Sequence, residues 1–298
     1  MELQENEGDG RGAARAMNAE VLATVGHELR SPLTSIKGYT STLLRQERRL
    51  SRQERQEFLL AIHEASERLE AVIERFLEMS QLETGNINVL PVPVDAARLA
   101  QEALLNAQQR IHEARPDHFS FYLRLKDEHG MLTSQEPLVW ADPRLLREVL
   151  DNLLENAINY SPDGGRIDIV IRPVQSRPAG RRDAASEEAP GQDPRQAETE
   201  AEQMLDICVC DNGQGIPDAH IERIFERFHR VDTGLTRAVN GLGLGLAICK
   251  QIIEMHGGRI WAESCSAGGS AFHVLFPLAV TGEEGDVQSP CASVPQEP

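Results

Sequence analysis

Cationic charge is what this 298-residue chain has least of: Lys and Arg total 30 against 47 Asp and Glu, a net charge of −17. The lysines are Lys37, Lys126 and Lys250. A nucleic-acid partner needs a basic stripe to meet its phosphates, so that class is excluded. Any phosphate bound here must be met by arginine, backbone N–H groups or a metal ion. No run of about eighteen apolar residues occurs, and no charged-then-apolar leader, so no segment of this chain is expected to span a membrane or direct export. The five cysteines are scattered. Cys208 and Cys210 lie two apart with no second pair at zinc spacing, and they read as small core residues in a reducing, cytoplasmic compartment.

The length is enough for two domains with cores of their own. After a polar, glycine-containing lead-in over residues 1–12, a helical pattern holds from Ala13 to Arg45, with apolar residues at Leu22, Val25, Leu29, Ile36 and Leu43. At about 100° per residue, His27 lies roughly 200° from Val25 and from Leu29, so its ring is expected to face water with Glu28 beside it. Pro32 removes one helical hydrogen bond, and a bend is expected just after His27. A turn at Leu50–Ser51 follows, with Ser51 and Glu54 spaced as a capping box. In the next helix Phe58, Ile62, Ala65, Leu69, Val72, Phe76 and Met79 alternate steps of four and three, a heptad seam. Two such helices make an antiparallel hairpin over residues 13–85 that cannot bury this seam alone. Pairing with a second copy would complete a four-helix bundle, and packing against the chain's own second domain is the alternative.

Gly85 ends the hairpin, and residues 86–95, with Pro91 and Pro93, form a linker. Beyond it the pattern predicts helices over 96–113, 143–160 and 246–255. Strands are predicted at 119–125, 138–140, 166–172, 205–210, 259–263 and 270–276. Asp142 is placed as N-cap, with Pro143 at the first helical position. Residues 174–203 carry almost no large apolar side chain and read as a disordered excursion at a hairpin tip, as do residues 281–298 as a tail. The fold class is therefore α+β: a helical hairpin, then an α/β sandwich over 96–280 with one helical face.

Three clusters in the second domain share a chemical theme. Asn152 and Asn156, four apart among Leu153, Leu154 and Ala157, share a helix face, and amide oxygens suit a hard cation. Asp211–Pro217, DNGQGIP, follows an apolar strand. A carboxylate there can accept from an exocyclic amine while Gly213 and Gly215 let backbone approach a flat base, although a plain tight turn also explains the glycines. Asn240–Lys250, NGLGLGLAICK, sets Gly241, Gly243 and Gly245 before a helix N-terminus, a phosphate-binding arrangement. It is not the dinucleotide fingerprint, which Leu246 and Ile248 break. The polar stretch between Phe225 and Gly241, with Arg227, Arg230 and Arg237, is expected to be a mobile lid.

HELRSP, NLLENAINYS, DNGQGIP, IFERFHR, GLGLGLAICK and the closing GGSAFHVLFP, in order from Ala16 to Pro277, resemble the successive boxes of bacterial sensor histidine kinases. That resemblance implies a dimeric hairpin carrying the phospho-acceptor and an ATP-binding sandwich of the type shared with gyrase, Hsp90 and MutL. Carried across, His27 is the nucleophile, Glu28 the base beside it, and Arg230 the arginine that reaches the γ-phosphate. Asn156 would hold Mg²⁺, with Asn152 near the phosphates. Tyr160 would lie against adenine and Asp211 would read its amino group. Gly213, Gly215, Gly241, Gly243 and Gly245 would approach ATP with bare backbone. The implied partner is the receiver domain of a response regulator, with an aspartate accepting the phosphoryl group.

The physics of these residues agrees. An imidazole with pKa about 6.5 is largely neutral at pH 7, so a ring lone pair is available. Mg²⁺ and arginine spread the charge of the moving phosphoryl group. Three positions depart from the family pattern: Asn159 where lysine is usual, His229 where tyrosine is common, and Ser31 where members that also dephosphorylate their partner carry threonine or asparagine. Kinase activity is expected to survive these changes, and Ser31 counts against phosphatase activity. The competing readings are an ATP-binding scaffold too weak to transfer phosphate, favoured by Asn159, and an ATPase clamp, which leaves the acceptor helix unexplained. With about a dozen polar residues before the first helix, the input is expected from a separate protein or from a longer parent chain.

Overall fold

A computed structural model describes the chain except residues 1–4, 47–48, 84–86, 115–118, 162–163, 177–201, 232–241, 266–267, 282–286 and 289–298. It divides into two compact units, Met1–Thr84 with Glu226–Gly245, and Gly85–Phe225 with Leu246–Pro298.

The first unit is built on α1 (Glu5–Gln46) and α2 (Arg52–Glu83). Helix α1 starts ahead of the expected boundary. Residues 5–12, read from composition as a frayed lead-in, are helical, because extending an existing helix costs far less than nucleating one. The helix also runs through Pro32. That residue has no N–H for the Glu28 carbonyl one turn back, and just beyond it Thr34 Oγ1 bonds Arg30 O at 2.7 Å. The reversal into α2 is closed by the capping box: Ser51 N donates to Glu54 Oε2 at 2.8 Å, and Glu54 N to Ser51 Oγ at 3.2 Å. Val25 and Pro32 of α1 are buried, as are Ala65 and Met79 of α2. The remaining seam residues, from Phe58 to Phe76, are half-buried. Tyr39 stacks obliquely on Phe58, ring centres 5.4 Å apart.

The second unit runs β1 (Val92–Asp95), α3 (Ala96–Ala114), β2 (Phe119–Leu125), β3 (Leu138–Ala141), α4 (Pro143–Tyr160), β4 (Gly165–Ser176), β5 (Glu202–Asp211), α5 (Gly245–Met255), β6 (Arg259–Ser264) and β7 (Ser270–Pro277). Strands β1 and β3 pair antiparallel. The other five form one sheet in the order β2-β4-β5-β7-β6, with β2 parallel to β4 and every other pair antiparallel. Alternate residues of β4 (Ile167, Ile169, Ile171) and β5 (Leu205, Ile207, Val209) are fully buried, as are Leu146, Leu150, Leu153 and Leu154 of α4. Burial of these aliphatics is the main favourable term in the fold.

Two expectations about irregular segments change. Strands β4 and β5 reach further than their apolar cores, pairing out to Ser176 opposite Glu202, so the excursion between them is shorter than 174–203 and its middle lies outside the described residues. Within the stretch read as a disordered tail, β8 (Val280–Thr281) pairs antiparallel with β9 (Val287–Gln288). Backbone pairing of this kind needs no apolar pattern, so composition does not reveal it.

Candidate functional site

Helix α4 positions one wall of the site. Asp142 caps it, its side chain accepting from Arg144 N at 3.0 Å, with Pro143 starting the helix. Burial pushes the Asp142 pKa up, but hydrogen bonds from the Arg144 side chain and from the N–H groups of Leu90 and Arg144 outweigh it, and the value falls to about 2. So anchored, α4 presents Asn152, Asn156 and Tyr160 at successive turns, all half-buried beside the closed Leu153–Leu154–Ala157 face. Asn152 Nδ2 donates back to Glu148 O at 3.0 Å.

The last residue of β5 faces this wall. Asp211 is 7% exposed, and its Oδ1 accepts from Gly213 N at 2.8 Å and Ser270 N at 3.1 Å. Burial raises its pKa above the ordinary aspartate value, against those hydrogen bonds. The turn that follows is tight against α4, since a Cβ on Gly213 would collide with the Tyr160 carbonyl. Gly215, at φ 76°, has the Ser264 hydroxyl 2.7 Å from where a Cβ would stand. Gly269, at φ 92°, lies so close to the Asp211 carbonyl that only glycine fits. The result is a buried carboxylate held by backbone N–H groups, beside glycine backbone and a tyrosine.

In the first unit, the His27 side chain is 80% exposed, with Nδ1 4.0 Å from Glu28 Oε1. Glu28 Oε1 is also 4.0 Å from Arg230 Nη1. Both separations exceed hydrogen-bond length and describe charges gathered near one exposed ring. Gly243 (φ 67°) accepts at its carbonyl from Phe228 N at 3.0 Å, and a Cβ there would stand 2.8 Å from His229 O. The side chains on either side, Leu242 and Leu244, are buried, so this loop is anchored by its leucines while its glycines stay bare.

Two family models match the chain: the His Kinase A (phospho-acceptor) domain over residues 17–85 and the histidine kinase-, DNA gyrase B- and HSP90-like ATPase over residues 141–280. The chain belongs to the sensor histidine kinases. The circadian input-output histidine kinase CikA of Synechococcus elongatus is 33% identical over 265 residues, 89% of this chain and 30% of that protein. The sensor histidine kinase WalK of Bacillus subtilis is 29% identical over 267 residues, 90% of this chain and 37% of that protein. The chain thus spans about a third of the length of these relatives. Among solved structures, histidine kinase ThkA in complex with response regulator protein TrrA is similar in fold, with a TM-score of 0.60 at 24% identity over 93% of this chain and 67% of that one.

Within this chain, the residues singled out from sequence fall into two groups. Asn152, Asn156, Tyr160, Asp211, Gly213 and Gly215 all lie in the second unit, where the Tyr160 carbonyl abuts Gly213 and Asp211 accepts from its N–H. His27, Glu28, Arg230 and Gly243 lie in the first, where Gly245 opens α5. Gly241 and most of the expected lid lie outside the described residues, and the exposed Asn159 stands at the rim of α4. Sequence reasoning missed Gly269 and Ser270, which shape and hold Asp211; the signal was the glycine pair of GGSAFHVLFP, read only as a family box. The ATPase domain is an ATP-binding domain. Among the described residues no group of three or more His, Cys, Asp or Glu stands ready for a metal ion. The half-buried Asn156 would offer an amide oxygen, a ligand type that suits a hard cation. No described helix is long and apolar enough to cross a membrane.

Proposed function

We propose that this chain is an ATP-dependent protein histidine kinase that phosphorylates its own His27 and passes the phosphoryl group to an aspartate of a response-regulator receiver domain. The observation that carries this reading is the 80% exposure of the His27 ring, with a carboxylate and a guanidinium near it. Asp211 reads the adenine amino group, Tyr160 lies against the base, and Gly213, Gly215, Gly241, Gly243 and Gly245 admit the nucleotide. Asn156 would hold Mg²⁺, with Asn152 beside the phosphates, and the ion would supply charge neutralisation there.

In the tautomer whose Nδ1–H faces Glu28, the His27 lone pair is on Nε2. Nε2 attacks the γ-phosphorus as the bond to the β–γ bridging oxygen breaks and ADP leaves. The Nδ1 proton then moves toward Glu28, which needs to close by about 1 Å to form a hydrogen bond. Arg230 exchanges its loose pairing with Glu28 for the phosphoryl oxygens, a change that costs little because such partly exposed pairs are weak. The hairpin, taken as residues 13–85, is proposed to act as a homodimer. Leu33, Leu59, Leu60, Ile73 and Leu77 leave a second apolar stripe exposed, of the kind a four-helix bundle buries. Residues 96–280 are proposed as the catalytic domain, joined by β1 (Val92–Asp95), whose pairing with β3 takes those four residues out of the linker expected at 86–95. The need for ATP and a receiver domain places the chain on the cytoplasmic side.

Incubation with γ-labelled ATP tests the reading: acid-labile, base-stable label is expected on wild type and absent from His27→Gln. Retained ATP binding with no label on wild type would favour the scaffold to which the exposed Asn159 points. A second incubation with receiver domains is expected to move the label to one of them.

A further inference from the structure

The sheet face away from the fully buried aliphatics carries chemistry that the kinase reaction does not use. On β5, Asp206, Cys208 and Cys210 occupy alternate positions and so share that face. Cys208 Sγ lies 3.2 Å from Cys210 Sγ and 3.5 Å from His273 Nε2, and Cys208 pairs across the ladder with His273 of β7. His273 Nδ1 is 3.1 Å from Asp206 Oδ1, and Trp261 stacks on the ring at 4.7 Å. Both thiols are free, Cys208 buried and Cys210 partly open. One accessible sulfur, one buried sulfur within reach, and a carboxylate-held imidazole beside the second are the parts of a resolving dithiol.

We propose that Cys208 and Cys210 are a modification site for hydroperoxides, Cys210 reacting first and Cys208 resolving it to an intrastrand disulfide. The Cys210 thiolate attacks one peroxide oxygen; the S–O bond forms, the O–O bond breaks, and the departing alkoxide takes a proton from solvent. Cys208 then gives its thiol proton to His273 Nε2 while its sulfur attacks Cys210 Sγ. The S–S bond forms, the S–O bond breaks, and the leaving hydroxide recovers that proton as water. Two thiols are oxidised and one peroxide is reduced to an alcohol and water. The charge distribution favours this order. Cys210 is lowered by the hydrogen bond from Cys208 and by His273, against burial, and Cys208 is raised by the same hydrogen bond and by burial. Burial lowers His273, but Asp206 raises it above its ordinary value, which makes it the better proton acceptor.

Closing this pair strains the strand. Residues two apart in a strand are separated by about 6.6 Å, near the upper end of the Cα range of about 4.4–6.8 Å that a disulfide tolerates. Strand β5 must pucker at Val209, and the residue after Cys210 is Asp211. Oxidation is therefore expected to displace that carboxylate from Gly213 N and Ser270 N and weaken nucleotide binding, a consequence that rests on the adenine-reading role proposed above.

The test treats the reduced 298-residue chain with hydrogen peroxide, blocks remaining thiols with iodoacetamide and maps tryptic peptides by mass. The peptide holding Cys208 and Cys210 is expected two hydrogens lighter and unalkylated, with Cys249 and Cys265 alkylated. Cys208→Ser and Cys208→Ala should stop at a dimedone-trapped sulfenic acid on Cys210. His273→Gln should accumulate that acid while the disulfide forms at least about tenfold more slowly. Oxidation confined to Cys249, Cys265 or Cys291, or a Cys210–Cys265 bridge, overturns the proposal. The oxidised kinase should bind a fluorescent ATP analogue at least about tenfold more weakly, with recovery in dithiothreitol. An intact disulfide with unchanged affinity overturns the coupling to Asp211. Unchanged affinity in Asp211→Asn overturns the nucleotide reading instead.

Discussion

The hairpin and the sandwich solve opposite problems. In the sandwich, the aliphatics of β4, β5 and α4 are closed off completely, and even Asp142, Asp206 and Asp211 are buried with their hydrogen bonds supplied. In the hairpin only a few seam residues are buried, and Ile73 and Leu77 remain 45% and 52% exposed. The sandwich closes its own aliphatic core, and the Asp211 carboxylate is buried there with backbone N–H groups to satisfy it. The hairpin holds the proposed acceptor, which must stay wet, and it leaves apolar surface exposed. Each part of the proposed reaction sits in the environment its chemistry needs.

The most severe expected outcome separates the two regions outright. His27→Gln should reduce phosphoryl incorporation to background while ATP affinity in the sandwich stays within about twofold. A comparable loss of ATP binding would show that the two regions do not divide the labour this way. Next comes Leu153→Ala, which removes a fully buried α4 side chain and should cost about 2–5 kcal/mol. Denaturant unfolding should assign that loss to the sandwich transition alone.

Much of this division was legible in the chain. Helices α2, α3 and α4, strand β2 and the core of strand β4 follow from periodicity and caps, because their signals are local: Ser51 with Glu54, Asp142 with Pro143, alternating aliphatics at Ile167–Ile171 of β4. The exposure of His27 follows from its angle to Val25. What stayed hidden depends on residues far apart in sequence. Ser270 N bonds Asp211 only because β7 lies beside β5, and Cys208 reads as inert core until His273 is set opposite it. The early start of α1 was hidden for another reason: its glycines mark a coil locally, and helix cooperativity overrides them.

The exposed stripe supplies the third test. Ile73→Glu with Leu77→Glu should convert a dimer into a monomer in light scattering, with the sandwich melting unchanged. A wild-type monomer at micromolar concentration would mean that no second copy covers the open seam. A smaller effect probes charge inside the sandwich. The Asp142 pKa is depressed from 3.8 to about 2, so its contribution is complete above the unperturbed value and is lost as pH falls through about 2. Asparagine also caps helices, so Asp142→Asn isolates the charge. The melting-temperature gap between wild type and this variant should be widest near neutrality and close toward pH 2.

The smallest effect belongs to the hairpin turn. Ser51→Ala removes the hydroxyl that Glu54 N donates to but leaves the Ser51 N–H that donates to Glu54, and it should cost about 1 kcal/mol, the usual value of an N-cap. The Glu54 pKa is lowered first by the backbone N–H of Ser51 and then by its hydroxyl. A lowered acid contributes stability above its unperturbed value of 4.5 and loses it as pH falls. The variant should therefore lose part of that acid-side slope and keep the rest, since the larger contribution comes from the backbone. Melting of the hairpin followed by circular dichroism from pH 7 to pH 3 measures both quantities. If the pH slope vanished entirely in Ser51→Ala, the N–H contact would not survive loss of the hydroxyl, and the two halves of the capping box would act as one unit.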